Sequence, residues 1–216
     1  MVIGKKSGRK RTKKSGRMRI KNSSLQGHKN ISINEKLALY LNDALSIENA
    51  AIKRLELRLR QTRLPDIKVQ LQHHLDETKE QQNRLKRLIS SLDQKPTNDR
   101  GRLPVTSSPK SIEKMLKKSM TDAEEELKGA KDDAIVESAE IVLYDMLIQF
   151  AQKASVVVGG DAIPILSQNL AEERAMLDWI KANTPVLITQ LWPDITSSVV
   201  GTEEVETKTS QQNGVL

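Results

Sequence analysis

The chain has no cysteine among its 216 residues, which excludes disulfides and every thiolate metal site. Aromatic side chains are nearly absent, with one Phe, two Tyr and two Trp, so any core must be aliphatic. Ten glycines and seven prolines are too few to punctuate many short strands, and they fall in a handful of clusters; long helices are the expectation. No apolar run approaches the about 18–20 residues that span a bilayer, and the first residues lack the apolar segment of a secretory signal. Together these absences point to a cytoplasmic protein without membrane association. Also missing are a serine–histidine–acid set, a phosphate-cradling glycine loop and a zinc-ligand cluster.

What is present is charge, unevenly placed. Residues 1–30 hold eleven Lys/Arg and no acid, partly as an imperfect eight-residue repeat, Lys5–Thr12 followed by Lys13–Ile20. Such a composition cannot bury enough surface to fold, so a disordered arm is predicted. The rest of the chain carries 24 Lys/Arg against 28 Asp/Glu, net −4 within a whole-chain charge of +7. The predicted organisation is a basic arm (1–30), a mildly acidic helical body (31–195) and a polar, disordered tail (196–216). Lys5, Lys6, Arg9, Lys10, Arg11, Lys13, Lys14, Arg17 and Arg19 are candidates for non-specific nucleic-acid contact. A basic segment without aromatics can follow a phosphate backbone but cannot stack on bases. The plainer alternative is a solubilising tail.

Within the body, apolar positions recur at alternating steps of three and four, which places them on one helical face. A first helix over about 34–60 has the stripe Leu37, Leu41, Ala44, Glu48, Ala51, Leu55, Leu59, with Ser32 or Asn34 as its cap. A second, from Pro65 to about Leu92, has Ile67, Leu71, His74, Thr78, Gln81, Leu85, Leu88. The short connection between them implies antiparallel neighbours. Residues 93–110 read as a long loop leading to a short amphipathic helix with Ile112, Met115, Leu116 and Met120 on one side. A capping box at Thr121–Glu124 predicts another short helix ending near Gly129. A third long helix follows over about 131–157, with Ala134, Glu137, Ile141, Tyr144, Ile148 and Ala151 on its stripe. Gly159-Gly160-Asp161 ends it. The fourth runs to about Ala182 with Leu166, Asn169 or Leu170, Glu173, Met176 or Leu177 and Ile180, and Pro185 is read as opening a short fifth helix. The expected fold is all-α, an antiparallel four-helix bundle with one long crossover between the second and third long helices.

Each long helix thus carries a carboxylate at mid-length on its apolar stripe: Glu48, Glu77 beside His74, Glu137 or Glu140, and Glu173. A single such Glu usually sits at the edge of a core and reaches solvent or an arginine. Four at similar depth form the inward carboxylate pattern of di-iron and di-manganese bundles, and hard oxygen ligands suit iron or manganese. The usual pattern repeats Glu-x-x-His on two helices, whereas the three histidines here are His28, His73 and His74, so at most one helix supplies imidazole.

At these residues the chain resembles the YciE/YciF group of ferritin-like proteins. The matching pieces are Tyr40–Glu48, His74-Leu75-Asp76-Glu77-Thr78 with Gln81 and Arg84-Leu85, Val136–Ile141 with Tyr144, and Leu170–Glu173. The resemblance covers about residues 34–184. It implies a ferritin-like bundle, often a homodimer, linked to stress and binding iron or another metal. It assigns the metal role to Glu48, Glu77, Glu137, Glu140 and Glu173, with His74 nearby, and oxidase or peroxide-scavenging chemistry is the activity that would follow. The chain departs from that group at Ser138-Ala139, where related sequences tend to have His-Tyr, and at Lys79, where they tend to have His. The competing expectation is a non-enzymatic helical interaction protein whose metal site is vestigial.

Overall fold

A computed structural model describes residues 31–105, 109–158 and 162–197. The basic arm, the Gly159-Gly160-Asp161 break and the tail from residue 198 lie outside the described residues. All regular structure among the described residues is helical: α1 (Ile33–Gln61), α2 (Pro65–Ser91), α3 (Lys110–Ser119), α4 (Asp122–Val158) and α5 (Ala162–Ser197). Thr196 and Ser197 therefore belong to a helix rather than to the expected tail.

The helix ends follow local chemistry. Ser32 accepts from the Glu35 N–H at 3.1 Å while the Glu35 carboxylate accepts from the Ser32 N–H at 2.6 Å, closing a capping box at the start of α1. Pro65 opens α2, where its missing N–H costs nothing. Asp93 ends α2 in the left-handed conformation (φ 57°). Its N–H donates to Ser90 O and the Gln94 N–H to Ile89 O, which satisfies carbonyls the helix leaves open.

The four long helices form the expected bundle. Helix α1 packs on α2 and α4, and α5 packs on α4 and α2. The crossover from α2 to α4 is laid along α1. Asn42 bonds the Lys95 carbonyl and the Thr97 N–H, Asn49 bonds the Asp99 carbonyl, and the Gly101 N–H donates to Ser46 O at 2.7 Å. A Cβ at Gly101 would lie 2.7 Å from the tip of the Ile47 side chain and 2.8 Å from the Ser46 hydroxyl, so those side chains would have to shift to admit one. Helix α3 sits within this crossover, and none of its backbone closely approaches another described helix.

Two expected boundaries are corrected. Gly129 does not end a helix: α4 runs unbroken from Asp122. Glycine is needed there because its face meets the Arg58 guanidinium, whose Cζ would be 2.4 Å from a Cβ. Nor does Pro185 start a new helix, since α5 contains both Pro185 and Pro193. Just before Pro185, Asn183 and Thr184 donate side-chain hydrogen bonds to the Trp179 and Ile180 carbonyls, next to the Lys181 carbonyl that the proline leaves without its helical donor.

The interior is layered. One apolar cluster includes Leu37, Leu41, Leu45, Leu85, Ile89, Leu147, Leu166 and Leu170. A second includes Ile52, Leu55, Leu71, Leu75, Met176 and Ile180. Each buried aliphatic side chain contributes about 1.5–3 kcal/mol. Between the clusters, in the order of residues along α1 and α5, lies a polar layer containing Glu48 and Glu173, with Asn169 at its border among the residues of the first cluster. No described helix is long and apolar enough to cross a membrane.

Candidate metal centre

His74 projects from α2 into the polar layer and is 2% exposed. Its Nε2 lies 3.2 Å from Glu137 Oε2 on α4 and 3.7 Å from Glu173 Oε2 on α5. One ligand atom from each of His74, Glu137 and Glu173 falls within 4.8 Å of the others. Glu48 on α1 and Glu140 on α4 are equally deep, at 1% and 2% exposure. Glu77 stands differently. It is half-buried, with Oε2 3.4 Å from His74 Nδ1 and Oε1 3.3 Å from Nε2 of the exposed His73. Glu77 therefore faces the imidazole from its outer side and fixes which ring nitrogen points inward. Lys79 is exposed and pairs with Asp76.

The side chains around Glu48 are tightly tied. The Tyr144 hydroxyl bonds Glu48 Oε1, and Asn169 Nδ2 lies 2.9 Å from the same hydroxyl. Arg84 Nε donates to Asn169 Oδ1 at 2.7 Å, and its Nη2 pairs with Glu172. Gln81 Nε2 also donates to Glu172, at 3.0 Å. Periodicity placed Gln81, Tyr144 and Asn169 on inward stripes, but it gave Asn169 and Leu170 as alternatives and assigned no partners. Glu172, at the margin of α5, had no signal beyond its place in the Leu170–Glu173 motif.

Several buried oxygens have no hydrogen-bond partner: Glu48 Oε2, Glu137 Oε2, Glu140 Oε1 and both carboxylate oxygens of Glu173. The His74–Glu137 approach at 3.2 Å thus lacks hydrogen-bond geometry. An unpaired buried polar atom costs about 1–3 kcal/mol, and more when charged. Burial pushes the Glu48 carboxyl up to about 7 against the opposing pull of the Tyr144 hydrogen bond. Burial, reinforced by neighbouring carboxylates, raises Glu140 and Glu173 well above the usual range. For His74, burial disfavours the imidazolium, but Glu137 and the other acids outweigh it and lift the ring to about 10. The hydrogen bond from His74 holds Glu77 below its ordinary value.

Without a cation, the centre thus retains protons on groups that would otherwise repel one another. A divalent cation satisfies several of these oxygens together and displaces the protons. Carboxylates with one imidazole are a suitable donor set, so the residues fit a metal ion. A separate cavity of about 700 Å³, lined by Arg54, Leu64, Leu116, Met120, Asp122 and Leu191 among others, contains none of them.

Comparison with known proteins agrees with this architecture. The chain aligns over 75% of its length with 97% of a protein of Xanthomonas campestris pv. campestris, at a TM-score of 0.61 and 21% identity. It aligns over 72% of its length with 96% of YcfI, a presumed structural protein from Rhodopseudomonas palustris, at a TM-score of 0.54 and 25% identity. The family described as a domain of unknown function, DUF892, matches residues 32–191. That match extends from the cap of α1 into the last turns of α5 and takes in every residue of the centre; the chain belongs to the DUF892 family.

Proposed function

We propose that the protein is a ferritin-like metal-binding protein that holds iron or manganese in the polar layer of its bundle. The observation that carries this reading is the set of buried carboxylate oxygens without hydrogen-bond partners around the inner nitrogen of His74. His74, Glu137 and Glu173 form the core of the ligand set, and Glu48 and Glu140 add oxygens from the same layer. Glu77 acts on the imidazole from outside. The resemblance to the YciE/YciF group supports the assignment and adds a homodimer and a role in stress to it.

Bound iron would supply one-electron chemistry with O₂ or peroxide. The chain's own contribution is to hold the ligands fixed, keep bulk water away through the two apolar clusters, and receive or release protons at the Glu48, Glu140 and Glu173 carboxyls. The test is a titration of metal-free protein with Mn(II), or Fe(II) under anaerobic conditions. A metal at 100 times its Kd should stabilise the fold by about 2.7 kcal/mol. Glu173→Gln should abolish most of that gain. If the wild-type protein melts at the same temperature with and without excess metal, the non-enzymatic interaction protein with a vestigial site is the better reading.

A further inference from the structure

We infer that Arg84 is a positioning residue for the metal centre: it sets the direction of a hydrogen-bond chain that directs the Tyr144 hydroxyl proton to Glu48 Oε1 and leaves Oε2 as the oxygen of that carboxylate free of hydrogen bonds. The inference rests on the metal-binding reading above and specifies how one of its ligands is held.

The direction follows from the donor inventory. Arginine has only donors, so the Asn169 atom 2.7 Å from Arg84 Nε must be the carbonyl oxygen. The Asn169 amide nitrogen is then turned toward Tyr144, 2.9 Å from its hydroxyl. An amide nitrogen only donates, so the Tyr144 oxygen accepts. Tyr144 and Asn169 are fully buried, and the remaining close partner of the hydroxyl is Glu48 Oε1. The hydroxyl proton is therefore directed to Oε1, because a buried O–H without an acceptor is costly. Oε1 is occupied as an acceptor, while Oε2 is buried and has no hydrogen-bond partner. Reversing any link would face donor with donor or acceptor with acceptor.

The anchor of the chain is built from outside the centre. Glu172 pairs with Arg84 and also accepts from Gln81 Nε2 at 3.0 Å and Gln168 Nε2 at 3.1 Å. These bonds fix the guanidinium at the edge of the bundle, and one side chain on α2 thereby controls a ligand on α1 through residues of α5 and α4.

The experiment uses the full chain with Co(II) as the metal probe and the Tyr144 hydroxyl proton, identified by its loss in Tyr144→Phe, as a metal-free NMR probe. Arg84→Met removes the donor that orients Asn169. Asn169→Asp keeps the shape but removes the donor to Tyr144, and it serves if Arg84→Met does not fold. Each folded variant should shift or lose the hydroxyl resonance, weaken Co(II) binding about tenfold to a hundredfold and change the visible absorption of the Co(II) form. Arg84→Lys, which retains a donor-only cation, should recover part of the Co(II) affinity. Wild-type binding of Co(II) with Arg84→Met and Asn169→Asp matching it in affinity and spectrum would overturn the positioning role while the metal reading stands. Failure of the wild type to bind Co(II) would overturn the metal reading and this role with it, whatever the resonance shows.

Discussion

At position 129 a glycine occupies the middle of a helix, where alanine would ordinarily stabilise by about 1 kcal/mol. Here the new Cβ would sit 2.4 Å from Arg58 Cζ. That guanidinium cannot swing away freely, because Nε is bonded to Asp133 and Nη2 to Glu126, both at 2.8 Å. Disrupting a buried ion pair costs about 3–5 kcal/mol, so Gly129→Ala should destabilise by about 2–4 kcal/mol in urea unfolding. A neutral or stabilising result would show that Arg58 relocates without loss. The centre gives a second expectation, in pH. Folding raises Glu48 from 4.5 to about 7 and His74 from 6.5 to about 10. In each case the folded state binds more protons than the unfolded state between the two values, so stability falls as pH rises across them. The carboxyl contribution declines from about pH 4.5 upward, and the His74 contribution is full below pH 6.5 and lost through about pH 10. Metal displaces the same protons, so the Mn(II)-dependent gain in melting temperature should be larger at about pH 8 than at about pH 5.5. An equal or smaller gain at the higher pH would contradict this. The inward faces of Glu48, His74, Glu137 and Glu173 were legible because burial follows the 3.6-residue period, whereas Glu140, read only as an alternative to Glu137, is buried as well. The partners were not, because the link from Arg84 to Asn169 joins residues 85 positions apart, and periodicity carries no information across that separation.

Whole helices were more legible than their internal continuity. The caps and stripes of α1 and α2 fixed both elements to within a residue or two, since a capping box and an N-terminal proline are local signals. Gly129 and Pro185 misled because propensity treats both as breakers. Tertiary contact decides at Gly129, where a guanidinium takes the space of the missing side chain. At Pro185, α5 continues past the lost donor, since one missing helical hydrogen bond does not outweigh the burial of Leu187 and Leu191 beyond it. For α3 the amphipathic pattern was correct, yet the helix does not bury its apolar side. Ile112, Met115 and Leu116 are all exposed, Met115 at 68%, and the helix approaches no other closely. Met115→Lys should therefore change the unfolding free energy by no more than about 0.5 kcal/mol. A loss several times larger in thermal unfolding would mean that this side of α3 is covered in solution.

For the molecule as a whole, the charge distribution separates two kinds of interaction. The residues from 31 onward carry a net −4, and two of their buried acids, Glu137 and Glu173, lie beside the inner nitrogen of His74. Residues 1–30 carry eleven positive charges and no acid, including Lys5, Lys6, Arg9, Lys10, Arg11, Lys13, Lys14, Arg17 and Arg19. We propose that this segment contacts a polyanion, with duplex DNA as the probe. The net-negative remainder offers no comparable long-range attraction, so the affinity should reside in the segment. With no aromatic residue among those thirty, stacking on bases is absent and little sequence preference should be seen. Binding should weaken by roughly 0.9 log units per phosphate neutralised for each tenfold rise in salt. Deleting residues 2–30 should abolish DNA binding in a low-salt gel shift while leaving helix content and the Mn(II)-dependent melting gain unchanged. Those two readouts separate the segment from the bundle: equal DNA affinity with and without it would assign binding to the helical body, and a lost metal response would show that the segment supports the centre.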